Sequence, residues 1–179
     1  MSTTRNEIEK GLRMAIEKLP ILLLDTSVWL DALLPLQTTR ACSVELLTLV
    51  VDNDVPVTYA AQSSLDVYRK VGSAYKQWIR RTGRLTEDWA VAVKRWAWDC
   101  VTAMQEVATA VPVDASDIWL ASKYRDYHDD YEDDLILAAC HRAKVDYLVT
   151  NDRKLLAHAD VCAKTPEQML GLLKIRLGE

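Results

Sequence analysis

The chain has 179 residues, 50% of them apolar, and its 26 acidic against 22 basic side chains leave a net charge of -4. That length supports one well-packed α/β core and is short for two. No apolar run reaches the roughly 18 residues of a membrane span, and Met1-Ser2-Thr3-Thr4-Arg5 lacks the basic-then-apolar start of a secretory signal, so a cytoplasmic protein is expected.

In chain order, Asn6 with Glu9 makes a variant capping box, and Ile8, Leu12, Ala15 and Leu19 share one helical face. An amphipathic helix is therefore expected over residues 1–19, ended by Pro20 and packed on a single domain spanning 20–179. Ile21-Leu22-Leu23-Leu24 reads as a short buried strand that Asp25 closes. Helices are expected over about 27–34 and from near Thr39 to Val51, the second ended by Asp52-Asn53-Asp54. Val55 to Tyr59 reads as the second strand, with Asp66 on the helix that follows. A longer helix starts after Thr86 with Glu87 and Asp88 in its first turn, where the helix dipole favours acids. Its expected apolar stripe is Trp89, Val93, Trp96, Cys100 and Val107. Val111-Pro112-Val113 suits a short third strand; a helix over about 131–143 leads into a strand at 146–149, and Thr165-Pro166-Glu167 opens the last helix. Strands alternating with helices predict an α/β fold with a mostly parallel sheet covered on both faces and function at the C-terminal strand edge.

The chemistry gathers at that edge. Asp25 ends the first strand and is followed by Thr26 and Ser27; Tyr147-Leu148-Val149-Thr150-Asn151-Asp152 repeats the pattern, a strand closing in a hydroxyl residue and an aspartate. Carboxylates delivered to one edge repel unless a hard cation joins them. On the helix Tyr131-Glu132-Asp133-Asp134-Leu135, Asp133 shares a face with Ile136, Leu137 and Cys140 and tops a buried stripe, while Glu132 could also turn inward. Asp130 and Asp134 read as acids that favour a helix N-terminus. The glycines (Gly11, Gly72, Gly83, Gly171 and Gly178) do not follow strands as a nucleotide loop requires, and Ser27 stands where an aspartyl phosphatase carries its second aspartate. Cys42, Cys100, Cys140 and Cys162 show no paired spacing and are expected as reduced core thiols; with His128, His141 and His158 also scattered, any metal would be held by oxygen.

The net charge conceals a strong asymmetry. From Arg69 to Arg95 the chain is net +6, and from Asp114 to Asp134 it is net -6. In the basic stretch Lys76, Arg80, Arg81 and Arg84 read equally as an RNA-backbone track, with Trp78 stacking on a base, or as a solvated helix face. Trp89 and Trp96, on one stripe, read as residues of the core or of an interface.

Ile21 to Ser27, Tyr131 to Ala139, Val145 to Asp152 and Thr165-Pro166-Glu167-Gln168-Met169-Leu170 resemble, in order, the successive motifs of PIN-domain nucleases, which include the VapC-type toxin ribonucleases. The resemblance spans about 20–172. It implies a three-layer α/β/α sandwich in which one or two Mg²⁺ or Mn²⁺ ions serve phosphodiester hydrolysis, usually in RNA. Carried over by motif, the acids are Asp25, Asp133 and Asp152, with Asp66 where the family usually has a glutamate; Thr26, Ser27, Glu132, Thr150 and Asn151 would orient ligands or water. It also implies an RNA substrate and, if the chain is a toxin, an antitoxin partner; the N-terminal helix and the long helical insertion at 72–110 exceed the family's compact form and suit a homodimer interface or the completion of the monomer core equally. The shorter aspartate at 66 keeps open a second expectation, an inactive PIN-like scaffold that binds RNA or a protein.

Overall fold

The computed structural model describes residues 18–35, 40–125 and 130–178. The expected N-terminal helix therefore lies almost wholly outside the described residues. Five strands form one sheet: β1 (Leu22–Leu24), β2 (Val57–Ala60), β3 (Thr109–Val111), β4 (Tyr147–Val149) and β5 (Ala163–Lys164). Their order is β3-β2-β1-β4-β5 and every pairing is parallel. The described helices are α1 (Thr26–Leu33), α2 (Arg40–Asp52), α3 (Ala61–Thr82), α4 (Glu87–Val107), α5 (Ala115–Tyr124), α6 (Tyr131–Ala143), α7 (Arg153–His158) and α8 (Pro166–Leu177).

The three leucines of β1 show why the fold has three layers. Strand side chains alternate between faces. Leu22 and Leu24 enter one core with Trp29, Leu46, Val67, Val71, Met104 and Leu173, whereas Leu23 enters the other with Ile136, Leu137, Leu148 and Leu155. All three leucines are fully buried, each contributing about 1.5–3 kcal/mol from burial. Helices α1 to α4 and α8 thus cover one face, and α6 and α7 the other. This is the expected α/β/α sandwich.

The connectivity decides where ligands can bind. From β1 the chain winds outward through β2 to β3, then crosses back to β4 on the other side of β1. The β1/β4 pair is therefore the switch point of the sheet, where the loops at the strand C-termini diverge and open a crevice.

Three expectations need correction. First, Trp89 and Trp96 do not lie in the core: they are 52% and 46% exposed, and α4 buries Val93, Ala97, Cys100, Val101 and Met104 instead. The reason is close packing of α4 on α3, where Ala97 faces Gly72. Small residues occupy the seam, and the large rings flank it, Trp96 against Tyr75 and Trp98 against Tyr68. Second, Asp134 is 2% exposed and so is more than a dipole-favoured surface acid. Third, of the four cysteines only Cys100 and Cys140 are buried; Cys162 is exposed. Helices α5 and α7 and strand β5 were not foreseen. Helix α5 opens with a capping box in which Asp117 takes the place of the usual Glu or Gln, so its signal is easily passed over.

Candidate metal centre

Asp25 follows β1 as the N-cap residue of α1, yet its side chain makes no capping bond. Its carboxylate is buried, 5% exposed, and is held by two hydroxyls from opposite sides of the switch point. Ser27 Oγ donates to Asp25 Oδ2 at 2.5 Å and Thr150 Oγ1 donates to the same oxygen at 2.7 Å. Each hydroxyl in turn accepts a backbone N–H, Ser27 Oγ from Asn151 at 3.0 Å and Thr150 Oγ1 from Asp152 at 2.9 Å. The two relays polarise toward Asp25 and lock the β1 and β4 ends together. They also leave Asp25 Oδ1 without a hydrogen bond among the described residues.

Asp152 is arranged in a similar way. It caps α7, its Oδ1 accepting from Lys154 N at 2.6 Å and Leu155 N at 3.2 Å. A carboxylate has two oxygens, so the cap fixes the side chain and spares Oδ2. Asp133 comes from the first turn of α6, whose N-cap Asp130 accepts from the Glu132 and Asp133 N–H groups. The Asp133 carboxyl is pushed up from 3.8 to about 7, first by burial and then by the negative charges of Asp130, Asp152, Asp25 and Glu132. Three elements, the ends of β1 and β4 and the start of α6, thus bring their acids into one electrostatic field.

Asp66 occupies another part of that field. It lies on α3 beside Glu132, whose carboxyl is raised by burial and then by Asp66, while Lys70 opposes the shift. Lys70 Nζ stands 3.5 Å from Glu132 Oε1. The acidic strip therefore runs from Asp66 through Glu132 to Asp133, Asp152 and Asp25, with Lys70 moderating its outer end. Asn151 contributes through its backbone N–H. Thr26 is buried with its Oγ1 unpartnered among the described residues, as are Ser63 Oγ and both polar ends of Gln62, which sit in the first turn of α3 at the end of β2. An unmade bond at a buried group costs about 1–3 kcal/mol, so these atoms mark the edge as a place that prefers a polar guest.

The donor set fits a hard divalent ion in chemistry: carboxylate oxygens only, one each of Asp25 and Asp152 pinned by the scaffold, in mutual repulsion that a cation would relieve. As placed, no three acidic, histidine or cysteine side chains among the described residues stand close enough together to hold one ion. Binding would draw Asp133 and the spare oxygens of Asp25 and Asp152 inward. Of the basic residues expected on a track, Arg80 and Arg81 are exposed in the last turn of α3, where cations complement the helix dipole, Arg84 is exposed beyond it, and Lys76 is half-buried against α4.

A parallel α/β/α fold with carboxylates strung across its switch point defines an acidic-edge α/β protein. Residues 21–154 match the PIN domain, and the chain belongs to the PIN-domain family, whose members are generally nucleases that use divalent metal ions. Among solved structures it is similar to a chain of VapBC2 from Rickettsia felis, a complex determined bound to a DNA fragment from its promoter. The TM-score is 0.57 at 12% identity, covering 81% of this chain and 98% of that one. No curated protein matches the sequence.

Proposed function

We propose that the protein is a divalent-metal-dependent endoribonuclease that hydrolyses RNA phosphodiester bonds with an activated water, acting in the cytoplasm as the toxin of a toxin-antitoxin pair. The observation that carries this reading is the electrostatic contact of Asp133 with Asp25 and Asp152 at the switch point of a PIN-family sheet. A Mg²⁺ or Mn²⁺ ion held by Asp25, Asp133 and Asp152 would supply a water of lowered pKa and neutralise charge on the phosphate. The chain's own groups do the positioning. Ser27 and Thr150 fix the Asp25 carboxylate, the α7 N-terminus fixes Asp152, and Asp133 is ionised when a cation replaces its proton. Asp66 and Glu132 extend the acidic strip, with Lys70 beside them to meet a phosphate. The toxin assignment draws on the fold shared with the VapBC2 chain, and its partners would be RNA, an antitoxin protein and a second copy of the chain. No helix among the described residues is long and apolar enough to cross a membrane.

A second reading, an inactive scaffold that binds RNA or a protein, draws on the placement of Asp66 beside Glu132 and on the spacing of the acids. One experiment separates the two. A pool of structured and single-stranded RNA is incubated with Mn²⁺ or Mg²⁺ and wild-type chain, Asp25→Asn, or wild type with EDTA. Cleavage by wild type alone supports the nuclease; no cleavage, with no metal binding by calorimetry, supports the scaffold.

A further inference from the structure

Helices α3 and α4 form an antiparallel hairpin that enters the core at one end and carries a groove of about 330 Å³ along its seam. Three cations line it, Arg69 and Lys76 from α3 and Lys94 from α4, together with Tyr68 and Ser73. No acidic side chain lines it, and none of the three cations has an ion pair among the described residues. Like charges gathered without a partner repel, and here the exposed Arg69 and Lys94 and the half-buried Lys76 border one groove.

Two further observations say what fits. Asp66, Arg69, Ser73 and Lys76 follow one another on a single stripe of α3, at helical spacings of three and four residues. The stripe therefore leads from the acidic edge along about 15 Å of helix at 1.5 Å per residue. At its inner end the Trp98 ring, 61% exposed, leans on Tyr68 with centroids 5.5 Å apart. A cationic groove that runs up to a row of carboxylates and carries an exposed tryptophan backed by a partly buried tyrosine is built for a flexible polyanion with flat, stackable groups. An acidic peptide would use the charges and leave the rings idle.

We propose that the α3–α4 groove is the path of a single-stranded nucleic acid, with Arg69, Lys76 and Lys94 on successive phosphates and Trp98 stacking on a base next to the acidic edge. The proposal rests on the nuclease reading for its direction, and its test needs neither cleavage nor metal. Binding of fluorescein-labelled single-stranded oligonucleotides, RNA and DNA of one sequence, is measured in EDTA with the full chain carrying Asp25→Asn. The Lys76→Glu/Lys94→Glu variant lowers affinity at least about tenfold and makes the slope of log affinity against log salt shallower by about 1.4, two phosphate contacts at 0.7 each. Trp98→Ala lowers affinity several-fold with the salt slope unchanged, because stacking releases no counterions. Thermal melts within a few degrees of the parent establish that both variants fold. Loss of RNA binding alone assigns the path to RNA, and loss of both assigns it to either strand. Parent-like binding by both variants overturns the proposal, as does displacement of the oligonucleotide by polyglutamate at equal charge concentration. Failure of the wild type to cleave RNA would defeat the nuclease reading and leave these binding results standing.

Discussion

Replacing Asp133 by asparagine in the metal-free protein reports on the cost of holding a charge at this half-buried position among acidic neighbours. In the folded chain this carboxyl is pushed from 3.8 to about 7, by burial and then by Asp130, Asp152, Asp25 and Glu132. Between those values the folded state keeps a proton that the unfolded state has released, so the stabilising contribution is complete below about pH 4 and is lost as pH rises through about 7. Three units at 1.36 kcal/mol each set a ceiling of about 4 kcal/mol. The group is only half-buried, and solvent screening reduces the expected effect to about 1–2 kcal/mol. Asparagine keeps the shape and cannot ionise. Urea denaturation in EDTA should therefore find Asp133→Asn more stable than wild type by about 1–2 kcal/mol near pH 8 and within about 0.5 kcal/mol near pH 4, at unchanged m. Adding Mg²⁺ should narrow the gap at the higher pH by stabilising only the wild type. A difference independent of pH, or a variant less stable at the higher pH, would refute the argument that burial and the neighbouring carboxylates together disfavour the Asp133 charge.

Other outcomes follow from single contacts. Ser27→Ala removes the 2.5 Å bond to Asp25 and strands the Asn151 N–H, and should cost about 1–3 kcal/mol in urea melts. Asp152→Asn keeps an oxygen to cap α7 and should hold stability within about 0.5 kcal/mol, yet it should lose the Tm gain on adding Mn²⁺; Asp152→Ala should lose both the cap and the gain. Leu24→Ala, at a fully buried position of β1, should cost about 2–5 kcal/mol with no change in m.

The elements of the sheet edge were legible because each is a local pattern. Ile21 to Asp25 and Tyr147 to Asp152 are apolar runs that stop at polar residues, and burial at a strand end writes that pattern into consecutive positions. Helix α3 was legible only as the helix carrying Asp66 after the second strand, and the final helix for its Thr-Pro-Glu opening, which the structure completes as a capping box with Gln168. The tryptophans of α4 misled because periodicity marks a face without saying which neighbour lies against it. Trp89 and Trp96 share a stripe with Val93, but contact with Gly72 rotates the buried face onto Ala97 and Val101. Asp134 was misread likewise, since a helical wheel cannot tell which flank of α6 another element covers.

From the sequence alone come the α/β class, the two strand-end aspartates and the charge asymmetry of the α3–α4 segment, all properties of neighbours along the chain. Only the tertiary structure decided that β1 and β4 lie side by side, because strand order depends on how the chain crosses the sheet. That adjacency lets Thr150 reach Asp25 across 125 positions of sequence; likewise only the packed fold brings Glu132 of α6 to Asp66 and Lys70 of α3, and Lys94 of α4 beside Arg69 and Lys76. Hydrogen bonds and charge repulsion act over a few ångströms of space, and no spacing along the chain encodes that distance.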